Sequence, residues 1–339
     1  MREADFYQKI KSGEVICQLC ARQCVIQPGQ TGFCRARKNL DGRLFSLIYG
    51  RPAVQNVDPV EKKPLFSFFP GTFTYSVGTY GCNFTCANCH NYDLSQAEDL
   101  EDKISLLPEI KPAELVSEAL ANNCRSLAYT YNEPTICGEY YLAVARLARA
   151  NGLKNIWVSN GYLSPIFLEA LLPWLDAANI DLKSIDDYFY RENCGASLPP
   201  ILENLKKIKQ YGIHLEISTL IIPGLTDGVE MLAALADFIV NELGDDTPWH
   251  ISKFSAPISW HLKNRPSADE TAIYKAFDIG KQKGLKFVYA GNMPGDQREN
   301  TYCPKCGELV IRRFGWDNIT RFDHHGICPK CNMILDIIG

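Results

Sequence analysis

Eleven of the 14 cysteines in this 339-residue chain fall into three short groups, and that grouping constrains the fold more than any other feature. Cys17, Cys20, Cys24 and Cys34 form the first group, Cys82, Cys86 and Cys89 the second, and Cys303, Cys306, Cys328 and Cys331 the third. The N-terminal MREADFYQKIKSGEVIC lacks the apolar stretch of a signal peptide, and no apolar run reaches the ~18 residues of a membrane span, so the sequence reads as cytoplasmic. A reducing compartment keeps cysteines as thiols or metal ligands, so three groups at ligand spacing predict three metal sites. Cys124, Cys137 and Cys194 stand alone and read as core residues. With 35 basic and 39 acidic residues the net charge is −4, which argues against a broad nucleic-acid-binding surface.

The cysteine groups divide the chain. Residues 1–48 hold the first group, broken by Pro28-Gly29 and Asp41-Gly42, with too little apolar sequence for a core of their own, so a metal is expected to fold them. Residues 49–72, rich in proline and turn residues, read as an extended connector. From 73 to 291, β-branched and aromatic runs (73–80, 126–131, 155–160, 177–183, 214–220, 249–254 and 286–291) alternate with helical patterns at 113–122, 138–150, 198–210 and 230–243. Such alternation predicts an α/β fold with a parallel sheet, because parallel neighbours need helical crossovers. Seven strands suit a partial barrel, and a doubly wound sheet fits the same periodicity. Residues 292–339 return to turn-rich, cysteine-bearing sequence.

In GCNFTCANCH the central cysteines are spaced C-x3-C-x2-C, directly after the first strand of the alternating region. Three thiolates cannot saturate a tetrahedral zinc or a four-iron cluster, so one position stays open for an outside ligand. Zinc completed by His90 is the alternative, and adjacent Cys89 and His90 are poorly placed to share one ion. In NIDLK, Asp181 and Lys183 lie two apart on a strand and share a face. Two such charges are costly inside a barrel unless they pair with each other or bind a ligand.

This cysteine spacing after the first strand of a β/α barrel resembles the radical SAM superfamily, and the chain is similar to its pyruvate formate-lyase activating-enzyme branch. The AmmeMemoRadiSam system radical SAM family is a closer resemblance, carried by the N-terminal cysteine knuckle, VDPVEKKPLF, YTYNEPT, SNGY, NIDLK, IIPGL and DTPWH, between about residues 17 and 331. It implies a partial (β/α)6-type radical SAM barrel with an N-terminal cysteine knuckle and a C-terminal zinc ribbon. It also implies a [4Fe-4S] cluster on Cys82, Cys86 and Cys89 that cleaves S-adenosylmethionine (SAM) to a 5′-deoxyadenosyl radical, which abstracts hydrogen from a substrate. A reduced flavodoxin- or ferredoxin-type electron donor and partners of the Memo and AMMECR types belong to the same implication.

Carried onto this sequence, the resemblance gives Asn132 and Glu133 to the SAM amino group, Ser159 and Asn160 to its ribose, and Lys183, oriented by Asp181, to its carboxylate. Local structure offers other roles: Asn132 as a helix cap before Pro134, Ser159-Asn160-Gly161 as a strand-to-helix turn, and a mutual Asp181–Lys183 ion pair. The chain departs from the activating-enzyme pattern at Tyr131-Asn132 (two glycines there), Val158 (an acid), Asn88 (an aromatic) and Ser255 (a histidine). His250, alone in a strand, reads as structural.

Cys303-Pro-Lys-Cys306 and Cys328-Pro-Lys-Cys331 are paired knuckles 21 residues apart, the pattern of a zinc ribbon, with a rubredoxin-like iron as the rival. Arg312, Arg313 and Arg321 among aromatics point to packing or partner binding. The short N-terminal group is also assigned Zn2+, an auxiliary iron–sulfur cluster being the alternative, so two zinc sites are expected. The function expected is a radical SAM oxidoreductase with an unassigned substrate. A glycyl-radical enzyme activase acting on a protein and a non-catalytic zinc scaffold are the competing readings.

Overall fold

The computed structural model describes residues 1–339. The N-terminal segment folds as two small antiparallel sheets from β1 (Arg2–Glu3), β2 (Tyr7–Lys9), β3 (Val15–Cys17), β4 (Val25–Ile26), β5 (Arg37–Leu40) and β6 (Arg43–Ser46), ordered β1-β6-β5 and β2-β3-β4. Its apolar residues do not stand apart. Val15, Leu19, Ile26, Ala36, Leu44 and Ile48 share one hydrophobic cluster with the larger sheet that follows. Arg37 reaches into that interface and donates from both terminal nitrogens to Glu139, at 2.8 and 2.7 Å, both side chains fully buried. A bidentate guanidinium–carboxylate pair is one of the few ways to bury two charges with their hydrogen bonds met.

The larger sheet has eight strands: β7 (Val54–Pro59), β8 (Phe73–Gly78), β9 (Ser126–Tyr129), β10 (Lys154–Ser159), β11 (Ala177–Asp181), β12 (His214–Ile221), β13 (Trp249–Lys253) and β14 (Val288–Gly291). They lie side by side in chain order, with β7 antiparallel to β8 and every later pairing parallel. A doubly wound sheet would reverse its order at a switch point; this one does not, so the periodicity resolves to an open, singly wound partial barrel. Six helical crossovers join β8 to β14, ending in helices such as Pro112–Ala121, Gly138–Ala150, Pro199–Gln210 and Glu270–Gln282. β9 is buried at every residue and β11 at all but its last, as expected of strands covered on both faces.

The stretch expected to be only a connector supplies the edge strand β7 and then closes the N-terminal end of the barrel. Val60, Leu65 and Phe68 pack on Ala128, Ile156 and Ala177. The backbone N–H groups of Phe66 and Ser67 donate to Glu216, whose carboxylate also meets His214 at 2.9 Å and His250 at 2.5 Å. Burial raises the Glu216 carboxyl, but the two imidazoles outweigh it and hold the group well below the usual carboxylate range. His250 is therefore a structural partner.

The C-terminal strands β15 (Thr301–Tyr302), β16 (Leu309–Phe314) and β17 (Asn318–Arg321) form a three-stranded antiparallel sheet against this same end. Cys303, Cys328, Val310 and Ile311 cluster with Phe66, Phe287 and Tyr289. Arg313 is buried there, donating to the carbonyl of Phe66 at 2.6 Å and lying 4.2 Å from that ring's centre. Packing therefore accounts for Arg313.

Candidate active site at the C-terminal ends of the strands

Cys82, Cys86 and Cys89 sit on the loop leaving β8. Gly81 opens it with φ +94, and a Cβ there would lie 2.5 Å from the carbonyl oxygen of Cys34, so conformation and space both require glycine. Three other segments fix the loop. Gly81 N–H donates to Leu94 O at 2.9 Å, Thr85 N–H to Cys194 O at 3.0 Å and Ala87 N–H to Asn193 O at 2.8 Å, while Ala87 O and Cys89 O accept from His261 and Trp260 at 2.8 and 3.0 Å. Sequence reasoning missed the Trp260-His261 segment, because backbone pairing leaves no residue-type signature. It also took Cys194 for a core residue. Cys194 is buried, as expected, yet its thiol faces Cys86, and that contact together with burial pushes the Cys86 thiol well up.

The ends of β9 and β10 are knitted to this loop. Asn132 donates to Gly81 O at 2.7 Å and accepts from Thr79 N–H at 3.1 Å. Glu133 takes four donors: the N–H and hydroxyl of Thr135, the Ser159 hydroxyl at 2.9 Å and Asn160 N–H at 2.8 Å. Asn160 in turn donates to Asn83 Oδ1 at 2.8 Å. The cap of the short helix Pro134–Cys137 is Glu133, where Asn132 was expected. Both Glu133 oxygens accept from donors of the chain. Burial raises its carboxyl, and these donors offset the cost only in part.

Asp181 and Lys183 form an ion pair at 2.7 Å, with the carboxylate 44% exposed and the ammonium 15%. Burial opposes the Lys183 charge, but Asp181 and the thiols of Cys86 and Cys194 hold its pKa well above that of a free lysine. The fold therefore sets one ammonium beside the central cysteines. His90 lies near the same pair, and burial lowers its pKa. Two buried atoms on the cysteine loop have no partner, Asn88 Oδ1 and Asn83 Nδ2. Three thiols, an ammonium and an unpartnered acceptor fit an iron–sulfur cluster with a polar, carboxylate-bearing ligand on its open iron.

The outer groups differ in geometry. Cys303, Cys306, Cys328 and Cys331 are the one set of three or more His, Cys, Asp or Glu residues whose ligand atoms all lie within 4.8 Å of one another. The Cys303–Cys331 and Cys306–Cys328 sulfurs are both 3.6 Å apart, close to the ~3.8 Å edge of a tetrahedron with Zn–S bonds of about 2.3 Å. Burial raises the Cys328 thiol, but backbone N–H groups of Cys331 and Lys330 and the facing thiols bring it to about 7. Cys17, Cys20, Cys24 and Cys34 instead line a cavity shared with Asn83.

Residues 76–239 match the Radical SAM superfamily. Over 100% of both chains this protein is 41% identical to the uncharacterized protein MJ0808 of Methanocaldococcus jannaschii. A shorter match, 25% identical over 166 residues, covers 48% of this chain and 67% of the pyruvate formate-lyase-activating enzyme of Clostridium pasteurianum. Among solved structures, a radical SAM methyltransferase from Sphaerobacter thermophilus aligns over 71% of each chain with a TM-score of 0.50 and 14% identity, a likeness of fold. No helix is long and apolar enough to cross a membrane.

Proposed function

Because this chain belongs to the radical SAM superfamily, we propose that Cys82, Cys86 and Cys89 hold a [4Fe-4S] cluster whose open iron takes SAM. The cluster, when bound and reduced, supplies the electron that cleaves SAM to methionine and a 5′-deoxyadenosyl radical. The observation that carries this reading is the convergence of three thiols on one loop, pinned from three sides, with the Lys183 ammonium beside Cys86. Lys183 offers its charge to the SAM carboxylate while Asp181 orients it. Asn88 Oδ1 is free to accept from a ligand N–H. Asn132, Glu133, Ser159 and Asn160 keep the loop and the ends of β9 and β10 in register beneath the ligand.

The substrate is unassigned, and the electron donor is proposed to be a reduced flavodoxin- or ferredoxin-type protein. Partners of the Memo and AMMECR types remain part of the proposal. Glycyl-radical activation is the second reading, favoured by the match to a pyruvate formate-lyase-activating enzyme across 48% of this chain. The test is reductive SAM cleavage by anaerobically purified protein with dithionite. The wild type should form 5′-deoxyadenosine, and the Cys82→Ala/Cys86→Ala/Cys89→Ala variant should not. Continued cleavage by that variant would overturn the assignment.

A further inference from the structure

We infer that Cys17, Cys20, Cys24 and Cys34 hold a second iron–sulfur cluster of the four-iron type, in place of the zinc expected from their spacing. No three of these sulfurs lie within 4.8 Å of one another, whereas all four of the C-terminal quartet do. A single tetrahedral zinc draws four sulfurs almost into contact, while an Fe4S4 body stands between its thiolates and spreads them.

The four cysteines line one cavity together with Arg22, Arg37 and Asn83. Two buried donors on its wall, Asn83 Nδ2 and Arg37 Nε, have no acceptor anywhere in the chain. Buried N–H groups are rarely left unpaired. The bridging sulfides of a cluster would supply the missing acceptors, and such hydrogen bonds tune cluster potentials.

Asn83, on this wall, directly follows Cys82 and is held from the other side by Asn160. Leu19 and Cys20 also border the loop after β10: Ala21 N–H donates to Tyr162 O at 3.1 Å and Ser164 N–H to Leu19 O at 3.3 Å. The second cluster therefore sits against the loops that build the first site. With every iron held by thiolate it has no position for SAM.

Full-length protein, purified anaerobically and reconstituted with iron and sulfide, decides the matter by metal analysis and Mössbauer spectroscopy. The wild type should contain about eight iron and one zinc, and SAM should perturb one iron in eight. The Cys82→Ala/Cys86→Ala/Cys89→Ala variant should keep about four iron and four sulfide, with a reduced-state EPR signal that SAM leaves unchanged. About four iron and two zinc in the wild type, with an iron-free triple variant, would overturn the inference even where SAM cleavage is intact. Should the triple variant fail to fold, the wild-type count and the fraction of SAM-perturbed iron still decide.

Discussion

Arg22, between Cys20 and Cys24, donates from Nη2 to the carbonyl oxygen of Asn83 at 2.8 Å, tying the N-terminal cysteines to the loop of the central three. The same nitrogen reaches Gly195 O at 2.5 Å, next to Cys194, and the guanidinium lies 3.6 Å from the centre of the Phe33 ring. One side chain thus joins three segments that are distant in sequence. Arg22→Ala should lower stability by about 2 kcal/mol, the scale of lost charge-assisted hydrogen bonds. Arg22→Lys keeps the charge but not the fork, and should recover only part of that in denaturant melts.

Lys183→Ala should weaken SAM binding roughly 10-fold or more, matching the loss of one charge-assisted contact of about 1.5–3 kcal/mol. Iron content should stay at the wild-type level, because Lys183 is not a ligand. Asp181 would then lose its partner, but its carboxylate is 44% exposed and water can solvate it, so the melting temperature should move little. Equilibrium SAM binding, iron analysis and melting on the same preparations check this. Unchanged SAM affinity would remove Lys183 from the site.

We propose zinc for the C-terminal quartet, so Cys306→Ser should release it and loosen the C-terminal sheet, with much less effect on SAM cleavage per cluster. The quartet packs on Phe66, Phe287 and Tyr289 at the N-terminal end of the barrel, away from the loops that carry the central cysteines. Zinc content, thermal melts and 5′-deoxyadenosine yield per iron separate the two effects. A loss of cleavage as large as that caused by removing Cys86 would contradict the structural role.

Glu61 gives a pH prediction. Burial lifts its carboxyl from the ordinary 4.5 to about 7, opposed by Arg313, and only Oε1 has a partner, the Gly71 N–H at 2.8 Å. A carboxyl raised in the folded state contributes stability that is fully present below about 4.5 and lost as pH rises through about 7. The wild type should therefore lose up to roughly 3 kcal/mol between pH 5 and 8.5 from this group. Glu61→Gln keeps the acceptor for Gly71 and should melt higher than the wild type at pH 8.5, with the advantage shrinking toward pH 5.

The elements of the barrel were readable because their signals are local. β-branched and aromatic runs predicted strands at 126–131 and 214–220, and they stand at Ser126–Tyr129 and His214–Ile221. The edge strand Val54–Pro59 was not readable, since proline-rich sequence carries no strand period and only pairing with β8 makes it one. Glu133 was legible as a candidate residue but its contacts were not, because they come from Ser159 and Asn160 at the end of another strand.

By itself, the sequence determined the spacing of three cysteine groups, the alternation that makes a parallel sheet, and the charged pair in NIDLK. Tertiary structure alone decided who meets whom. It placed Cys194 near Cys86, set the N-terminal quartet beside Asn83, and brought Ser159 and Asn160 to the Glu133 carboxylate. It also separated two quartets that read alike, drawing one within 4.8 Å and leaving the other around a cavity. The physical reason is range. Ligand spacing and strand period are properties of neighbours in the chain, whereas the Arg22 contacts span 61 and 173 residues and exist only once the β/α crossovers have stacked the strand ends side by side.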